Sequence, residues 1–304
     1  MAELAKQIED QIITGDAFAV LRGMPDECCH LAITSPPYWN VVDYGVEGQI
    51  GQSSYKKYLD DLLAVWRETA RVLVPNGKLC INAPIMPVPK SVNGKQHTRE
   101  LKDIAGDIRN SIVAAGLMNL FSVYIWQKQT TTKMFGSYPF PPNIYEDNTV
   151  EFIHVYVKPG KPRVLDKAIK EKSKLSQDEW VDLTQQVWWI YPEDVKRAGG
   201  HPAPFPVELP ARLIAMYSFA AVPEQDFAGD VVLDTFSGSG TSCVAAKRMG
   251  RRYVGIDACE EYNEFARNRL KPRVGGKIRI KIGTRLVKKR RSSEKERQAV
   301  LFRK

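Results

Sequence analysis

Apolar residues along this chain fall into short compact runs separated by stretches with helical spacing, and that alternation carries the first structural information. Cys29-His30-Leu31-Ala32-Ile33 is such a run, and it stops shortly before Pro36-Pro37. Proline removes a ladder donor and restricts the residue before it, so the run predicts a buried strand with an abrupt carboxyl end. Residues 11–21 begin as a strand, break at Gly15-Asp16 and continue as a helix. Tyr58, Leu62, Val65, Trp66 and Leu73 recur at helical intervals and predict a helix over 55–73 that stops at Pro75-Asn76-Gly77. A strand over 77–82, a helix over 99–115 ending at Gly116, and strands over 120–127 and 150–157 follow. Residues 128–147, rich in Thr, Tyr and Pro, are too long for a tight hairpin turn, which points to function. Residues 158–186 are charged and weakly periodic, as expected of a small variable insertion or a partly disordered segment. A helix over 207–218 leads to the strand 231–234, a Gly-rich turn, a helix through Met249 and the strand 252–257. This last part is a βαβ unit, so the chain should form an α/β fold around a doubly wound sheet.

Composition narrows the class. The chain has 304 residues, 43% hydrophobic and 26% charged, enough for a sizeable globular core. No run approaches the roughly 20 apolar residues of a membrane span. The first ten residues are acidic and lack a signal core, so a cytoplasmic protein without a membrane partner is expected. Five cysteines show no CxxC pair and four histidines no HxxxH spacing, which predicts reduced thiols and no metal site. The net charge of +9 is uneven: from Lys271 onward, fourteen Lys and Arg face only Glu294 and Glu296, giving the tail +12 and the rest about −3. Such a tail either attracts a polyanion, chiefly nucleic acid, or simply solubilises the chain.

Two motifs carry chemistry. Thr34-Ser35-Pro36-Pro37-Tyr38-Trp39 brings a hydroxyl, a stiff backbone without N–H groups and two aromatic rings to the carboxyl end of a strand, where open α/β sheets bind ligands. This suits the gripping of a flat polar ring; the alternative is a Pro-rich turn with aromatic packing. Asp234-Thr235-Phe236-Ser237-Gly238-Ser239-Gly240-Thr241 places two glycines where a strand turns into a helix, and Asp257 ends the next strand. That offset matches an acid that contacts ribose hydroxyls. The turn lacks both the third glycine of a dinucleotide motif and the lysine of a P-loop. S-adenosyl-L-methionine therefore suits it better than a dinucleotide or ATP; the alternative is a structural turn. Asp16, at the end of the first strand, is open between ligand contact and helix cap, and Asp257 between ribose contact and cap.

The two motifs resemble those of amino-directed DNA methyltransferases, 34–39 the catalytic motif and 234–241 the cofactor motif. Their order, catalytic before cofactor, resembles the circularly permuted beta class, and His201 to Phe205 with Leu209 and Pro210 resembles the segment that precedes the cofactor motif there. The resemblance spans about residues 11–270. It implies a Rossmann-like S-adenosylmethionine-dependent methyltransferase fold, a mixed seven-stranded sheet with helices on both faces. It also implies duplex DNA as partner and a base flipped out of the stack. Ser35 and the Pro36 carbonyl would accept from the exocyclic amine, with Pro37 shaping the turn and Tyr38 stacking on the ring. Asp16, Asp234, Phe236, Ser237, Gly238, Gly240, Thr241 and Asp257 would bind the cofactor; Trp39 would either contact the substrate or pack, and 128–147, a second candidate for target recognition, offers Lys128 and Lys133 to phosphates or base edges. The resemblance divides the chain into a catalytic half (1–157), an insertion offered for target recognition (158–186), a cofactor half (187–270) and a basic tail (271–304). Ser at position 35 resembles the cytosine-N4 branch, Asp there being more typical of adenine-N6 enzymes. A prokaryotic or phage-encoded modification enzyme follows, monomer or homodimer, with a cognate restriction endonuclease as genetic partner. The rivals are an adenine-N6 DNA methyltransferase of the same architecture, an RNA or protein-glutamine methyltransferase, and a DNA-binding protein with a dead site.

Overall fold

Leu31 and Ile33 pack on one side of their strand and Ala32 on the other, and all three are buried. A strand buried on both faces belongs inside a sheet with helices on each side, and the computed structural model, which describes residues 9–39, 48–88, 99–130, 135–192 and 204–271, has that organisation. In chain order, β1 (Gln11–Thr14), α1 (Ala17–Gly23), β2 (Cys29–Thr34), α2 (Tyr55–Val72) and β3 (Leu73–Ala83) come first. The pair β4 (Ile85–Pro87) and β5 (Leu101–Asp103) precedes α3 (Ile104–Ala114). Next are β6 (Asn119–Lys128), a small hairpin of β7 (Phe135–Gly136) and β8 (Ile144–Tyr145), and β9 (Val150–Val157). After α4 (Lys167–Lys172), α5 (Gln177–Leu183) and β10 (Val187–Ile190) come α6 (Glu208–Tyr217), β11 (Val231–Asp234), α7 (Thr241–Arg248), β12 (Arg252–Asp257) and α8 (Glu260–Leu270).

Among the described residues the main sheet has eight strands in the order β1-β12-β11-β2-β3-β9-β6-β10. The first five are mutually parallel, and β9 runs antiparallel between β3 and β6. Seven of these match the expected mixed sheet; the eighth, β10, adds itself parallel to the β6 edge through Val187–Ile190, whose alternately exposed and buried residues were not foreseen as a strand. One face is covered by α1, α2 and α3 through residues such as Leu21, Leu62, Trp66 and Ile108. The other is covered by α6, α7 and α8 through Leu213, Val244 and Ala266. Among the described residues no helix is long and apolar enough to cross a membrane.

The order in which the chain winds through the sheet reverses between β11 and β2. From β11 the chain crosses by α7 on one face to β12; from β2 it crosses by α2 on the other face to β3. Between these neighbours lies the switch point of the sheet, where a crevice opens at the carboxyl ends of the strands. Two local expectations shift. The helix expected over 99–115 starts only at Ile104, because Asp103 caps it by accepting from Gly106 N at 2.8 Å. The strand expected over 77–82 begins at Leu73, because Asn76 takes a positive φ of 62° and donates its N–H to Lys158 O, which lets the strand run through the Pro-Asn-Gly turn.

Residues 158–186 run along the opposite, amino edge of the sheet. They leave β9 at Val157, opposite Lys78 near the start of β3, and return at the first residue of β10. Arg163 donates to both carboxylate oxygens of buried Asp230, just ahead of β11, at 2.5 Å each. Ser173 Oγ accepts from Ala220 N at 2.8 Å, and Asp182 pairs with Arg212 at 3.0 Å. The segment expected to read the target is thus clamped to the edge away from the crevice.

Candidate active site

The crevice at the switch point is a cavity of about 270 Å³. Its wall takes Gly15 and Asp16 from the end of β1, Ser35 to Tyr38 from the end of β2, Thr235 to Ser237 with Ser239 and Thr241 from the turn after β11, and Asp257 from the end of β12. Gly48, Gln49 and Ile50 close one side; 40–47 lie outside the described residues. Pro204 and Phe205 close another, while His201 lies outside the described residues. The two motifs, about 200 residues apart in sequence, therefore share one cavity.

On the β11 side, Asp257 anchors the turn. Its carboxylate accepts from Gly238 N at 2.8 Å and from Cys259 N at 2.9 Å, so it both braces the glycine turn and holds the entry to α8. Burial pushes its pKa up against those two bonds. Gly238 and Gly240 sit at φ of 46° and 72°, a region that favours glycine. Gly238, expected at the cofactor, is outside the cavity wall, and so is Gly240. A Cβ there would lie 2.6 Å from Ala266 Cβ, so its missing side chain admits α8. Asp234, also expected at the cofactor, lies beneath the turn, 1% exposed, and accepts from Phe236 N at 3.2 Å. Burial raises its pKa to about 6, with the Ser242 and Thr34 hydroxyls pulling the other way. Asp16 combines both of its open readings: it caps α1, accepting from Ala19 N at 2.9 Å, and lines the cavity.

Arg269 of α8 escaped the sequence reading. It donates to Ser239 O at 2.7 Å, Ser239 Oγ at 3.2 Å and Thr241 Oγ1 at 3.1 Å, tying the turn to the last helix. No local signal marks it, because its partners lie some thirty residues upstream.

On the β2 side, Ser35 Oγ donates to Asn82 O at 2.9 Å and lies 3.1 Å from Tyr38 Oη. Tyr38 Oη donates to Glu151 Oε2 at 3.3 Å. Asn82 Nδ2 donates to the same carboxylate oxygen, and Lys128 forms an ion pair with the other. Pro37 O accepts from Tyr58 Oη at 3.0 Å, which ties the Pro-Pro unit to α2. Lys128, expected on nucleic acid, is thus drawn to Glu151, with its ammonium 5.2 Å from the Trp126 ring centroid. Trp39, open between substrate contact and packing, is held in the fold: its Nε1 donates to Ser53 O at 2.8 Å and its ring meets Tyr55 edge-on at 4.9 Å. Lys133 lies outside the described residues. Glu151 and Asn82, which the sequence did not single out, complete this cluster.

The wall suits a cationic nucleoside better than a phosphorylated one. It holds two carboxylates, Asp16 and Asp257, and among the described lining residues no Lys, Arg or His. Ser237 Oγ, in that wall, is buried without a hydrogen-bond partner, as expected of a group that a polar ligand satisfies. Phe236, its ring edge-on to Trp66 at 6.0 Å, supplies an apolar surface.

Comparison with known proteins agrees with this geometry. The sequence model of the DNA methylase family, covering N6- and N4-directed enzymes, matches residues 29–268. The Type II methyltransferase M.MjaI of Methanocaldococcus jannaschii is 30% identical over 308 residues, 89% of this chain and 91% of its own length. M.Cfr9I of Citrobacter freundii, another Type II methyltransferase, is 29% identical over 292 residues, 88% of this chain and 90% of its own. The crystal structure of a DNA modification methylase from Thermus thermophilus, in complex with S-adenosyl-L-methionine, superposes with a TM-score of 0.68 at 32% identity, covering 85% of this chain and 92% of that one.

Proposed function

The chain belongs to the DNA methylase family, and on that premise we propose that it methylates the exocyclic N4 of cytosine at a specific site in duplex DNA, on a base flipped out of the stack. Its cofactor is S-adenosyl-L-methionine, which when bound supplies a methyl group on a positively charged sulfur. The observation that carries the reading is that Ser35, Pro36 and Tyr38 line the same cavity as Thr235 to Ser237 and Asp257. Asp257 and Asp16 are the acids offered to the ribose and adenine, Phe236 and Ser237 the wall beside the methionine, and Gly238, Gly240 and Thr241 the turn that shapes it. Ser35 Oγ and the Pro36 carbonyl accept from the two protons of the amine, which turns its lone pair out of conjugation with the ring. Tyr38 stacks on the flipped base. Holding two reactants in line is worth several orders of magnitude without covalent help from the protein.

The permuted order of the beta class fits a chain whose first strand pairs with its last, β1 with β12. Target recognition is better assigned to the segment between β6 and β9 than to 158–186. That segment leaves the carboxyl edge at Lys128, and its hairpin presents Tyr138, Phe140 and Ile144 at 73–76% exposure. The N4 assignment rests on Ser35. Incubation with DNA and labelled cofactor, followed by digestion to nucleosides and mass spectrometry, is expected to yield N4-methylcytosine. N6-methyladenine would overturn the N4 assignment and leave the rest standing; label absent from DNA would overturn the reaction.

A further inference from the structure

A serine or tyrosine hydroxyl has one proton and two lone pairs, so whatever takes the proton decides what the oxygen offers to a ligand. At this site both protons are spoken for. Ser35 Oγ gives its proton to Asn82 O, and Tyr38 Oη gives its proton to Glu151. The two oxygens are 3.1 Å apart, and with both of these protons directed elsewhere Ser35 Oγ keeps its lone pairs on the side of the cavity that its residue lines.

Glu151 enforces this arrangement. It is 5% exposed, held by the Lys128 ammonium on one oxygen and by Tyr38 and Asn82 Nδ2 on the other. A carboxylate only accepts, so Tyr38 has to donate to it and the Asn82 amide has to turn its NH2 towards it. Asn82 Oδ1 is consequently left as a buried acceptor without a partner, in a side chain 3% exposed. Buried acceptors without partners are costly.

We propose that Glu151 is a positioning residue that fixes the hydrogen-bond polarity of this site through Tyr38 and Asn82, making it accept an amino group and refuse a carbonyl. The inference rests on the function proposed above and deepens it: the substrate base is selected as one bearing an exocyclic amine, cytosine or adenine, against thymine or guanine O6. A carbonyl oxygen arriving at the same place finds lone pairs and no proton.

Glu151→Gln tests this with little change in volume, because its amide NH2 can donate to Tyr38 Oη and reverse the polarity. The expected result is a roughly ten- to hundred-fold fall in kcat for transfer to DNA, with cofactor affinity, read by calorimetry, within about two-fold of wild type. A merely structural role would not depend on the hydroxyl of Tyr38, so the cycle with Tyr38→Phe decides. In the Tyr38→Phe background the penalty of Glu151→Gln should shrink by roughly ten-fold, because no hydroxyl is left to misdirect. An equal penalty in both backgrounds overturns the proposal, as does an unchanged kcat in Glu151→Gln. Should the single variant unfold with Lys128 left facing an amide, Glu151→Gln with Lys128→Met against Lys128→Met alone carries the same cycle. Wild-type transfer is read in the same assay, so an inactive wild type defeats the underlying function, whereas an active one with additive losses defeats the polarity role alone.

Discussion

Gly240 is the sharpest point at which sequence, packing and site meet, and its replacement by Ala gives a prediction that can be worked from the coordinates. The residue holds a φ of 72°, which costs an L-amino acid about 1–2 kcal/mol. The added methyl would sit 2.6 Å from Ala266 Cβ and 3.3 Å from its Cα, where ordinary contact begins near 3.4 Å. α8 has to retreat by several tenths of an ångström, an overpacking penalty of about 1–3 kcal/mol. Gly240→Ala should therefore lose about 2–5 kcal/mol in urea denaturation, a large part of the stability of a typical domain. The same retreat carries Arg269 away from Ser239 and Thr241, so cofactor affinity should weaken by roughly ten-fold in calorimetry. Adding Ala266→Gly removes the clash but not the backbone strain. In the double-mutant cycle, helix propensity at 266 cancels, and the coupling should return about 1–3 kcal/mol. A Gly240→Ala protein within about 0.5 kcal/mol of wild type, or a cycle without coupling, refutes the assignment of this glycine to helix packing.

Ser35→Ala should lower turnover roughly ten- to hundred-fold and leave cofactor binding unchanged, since the serine faces the reacting amine; unchanged turnover removes Ser35 from catalysis. His30 gives a pH prediction. Its Nδ1 accepts from Val231 N at 3.1 Å, which requires that nitrogen unprotonated, and burial lowers its pKa from 6.5 to about 4. A depressed folded pKa means the contribution is present above the unfolded value of about 6.5 and is lost as pH falls towards 4, about 3 kcal/mol in all. Asp234, raised by burial from 3.8 to about 6, acts oppositely: its contribution is lost as pH rises between those values. The difference between wild type and His30→Asn therefore isolates the histidine, and an identical pH dependence of the urea midpoint in both proteins refutes the reading. Truncation after Leu270 removes the +12 tail and should flatten the salt dependence of DNA affinity; an unaltered slope leaves the tail a solubilising extension.

What the sequence made legible was local. The end of β2 at its prolines, the helix over α2 and the βαβ unit around 234–257 depend on neighbours within a few residues, and these appear where the pattern puts them. What stayed hidden depends on register between distant strands. β9 pairs with β6 so that Glu151 stands opposite Trp126, and this brings the carboxylate within reach of Lys128, Asn82 and Tyr38 at once. No spacing in the sequence announces that meeting, so Lys128 looked like a cation for phosphate. Gly240 misled differently: a glycine in a sharp turn has the same appearance whether it makes room for a ligand or for a helix, and only Ala266 distinguishes them. Residues 158–186 looked free to recognise DNA because their periodicity is weak, yet Arg163 on Asp230 fixes them to the amino edge.

The distribution of charge follows from the chemistry of two very different ligands. A sulfonium nucleoside carries positive charge and no phosphate, and the cavity offers it Asp16 and Asp257 with no cation among the described lining residues. DNA is a polyanion, and the same cavity would repel its backbone. In the proposed reaction the flipped base is neutral, so one base can enter where the phosphate chain cannot, provided attraction to the chain is supplied elsewhere. Residues before 271 sum to about −3, and Lys128 and Arg163 are already bound to Glu151 and Asp230. The fourteen basic residues of the tail are the largest concentration of positive charge in the sequence, and the truncation described above tests whether they serve the duplex.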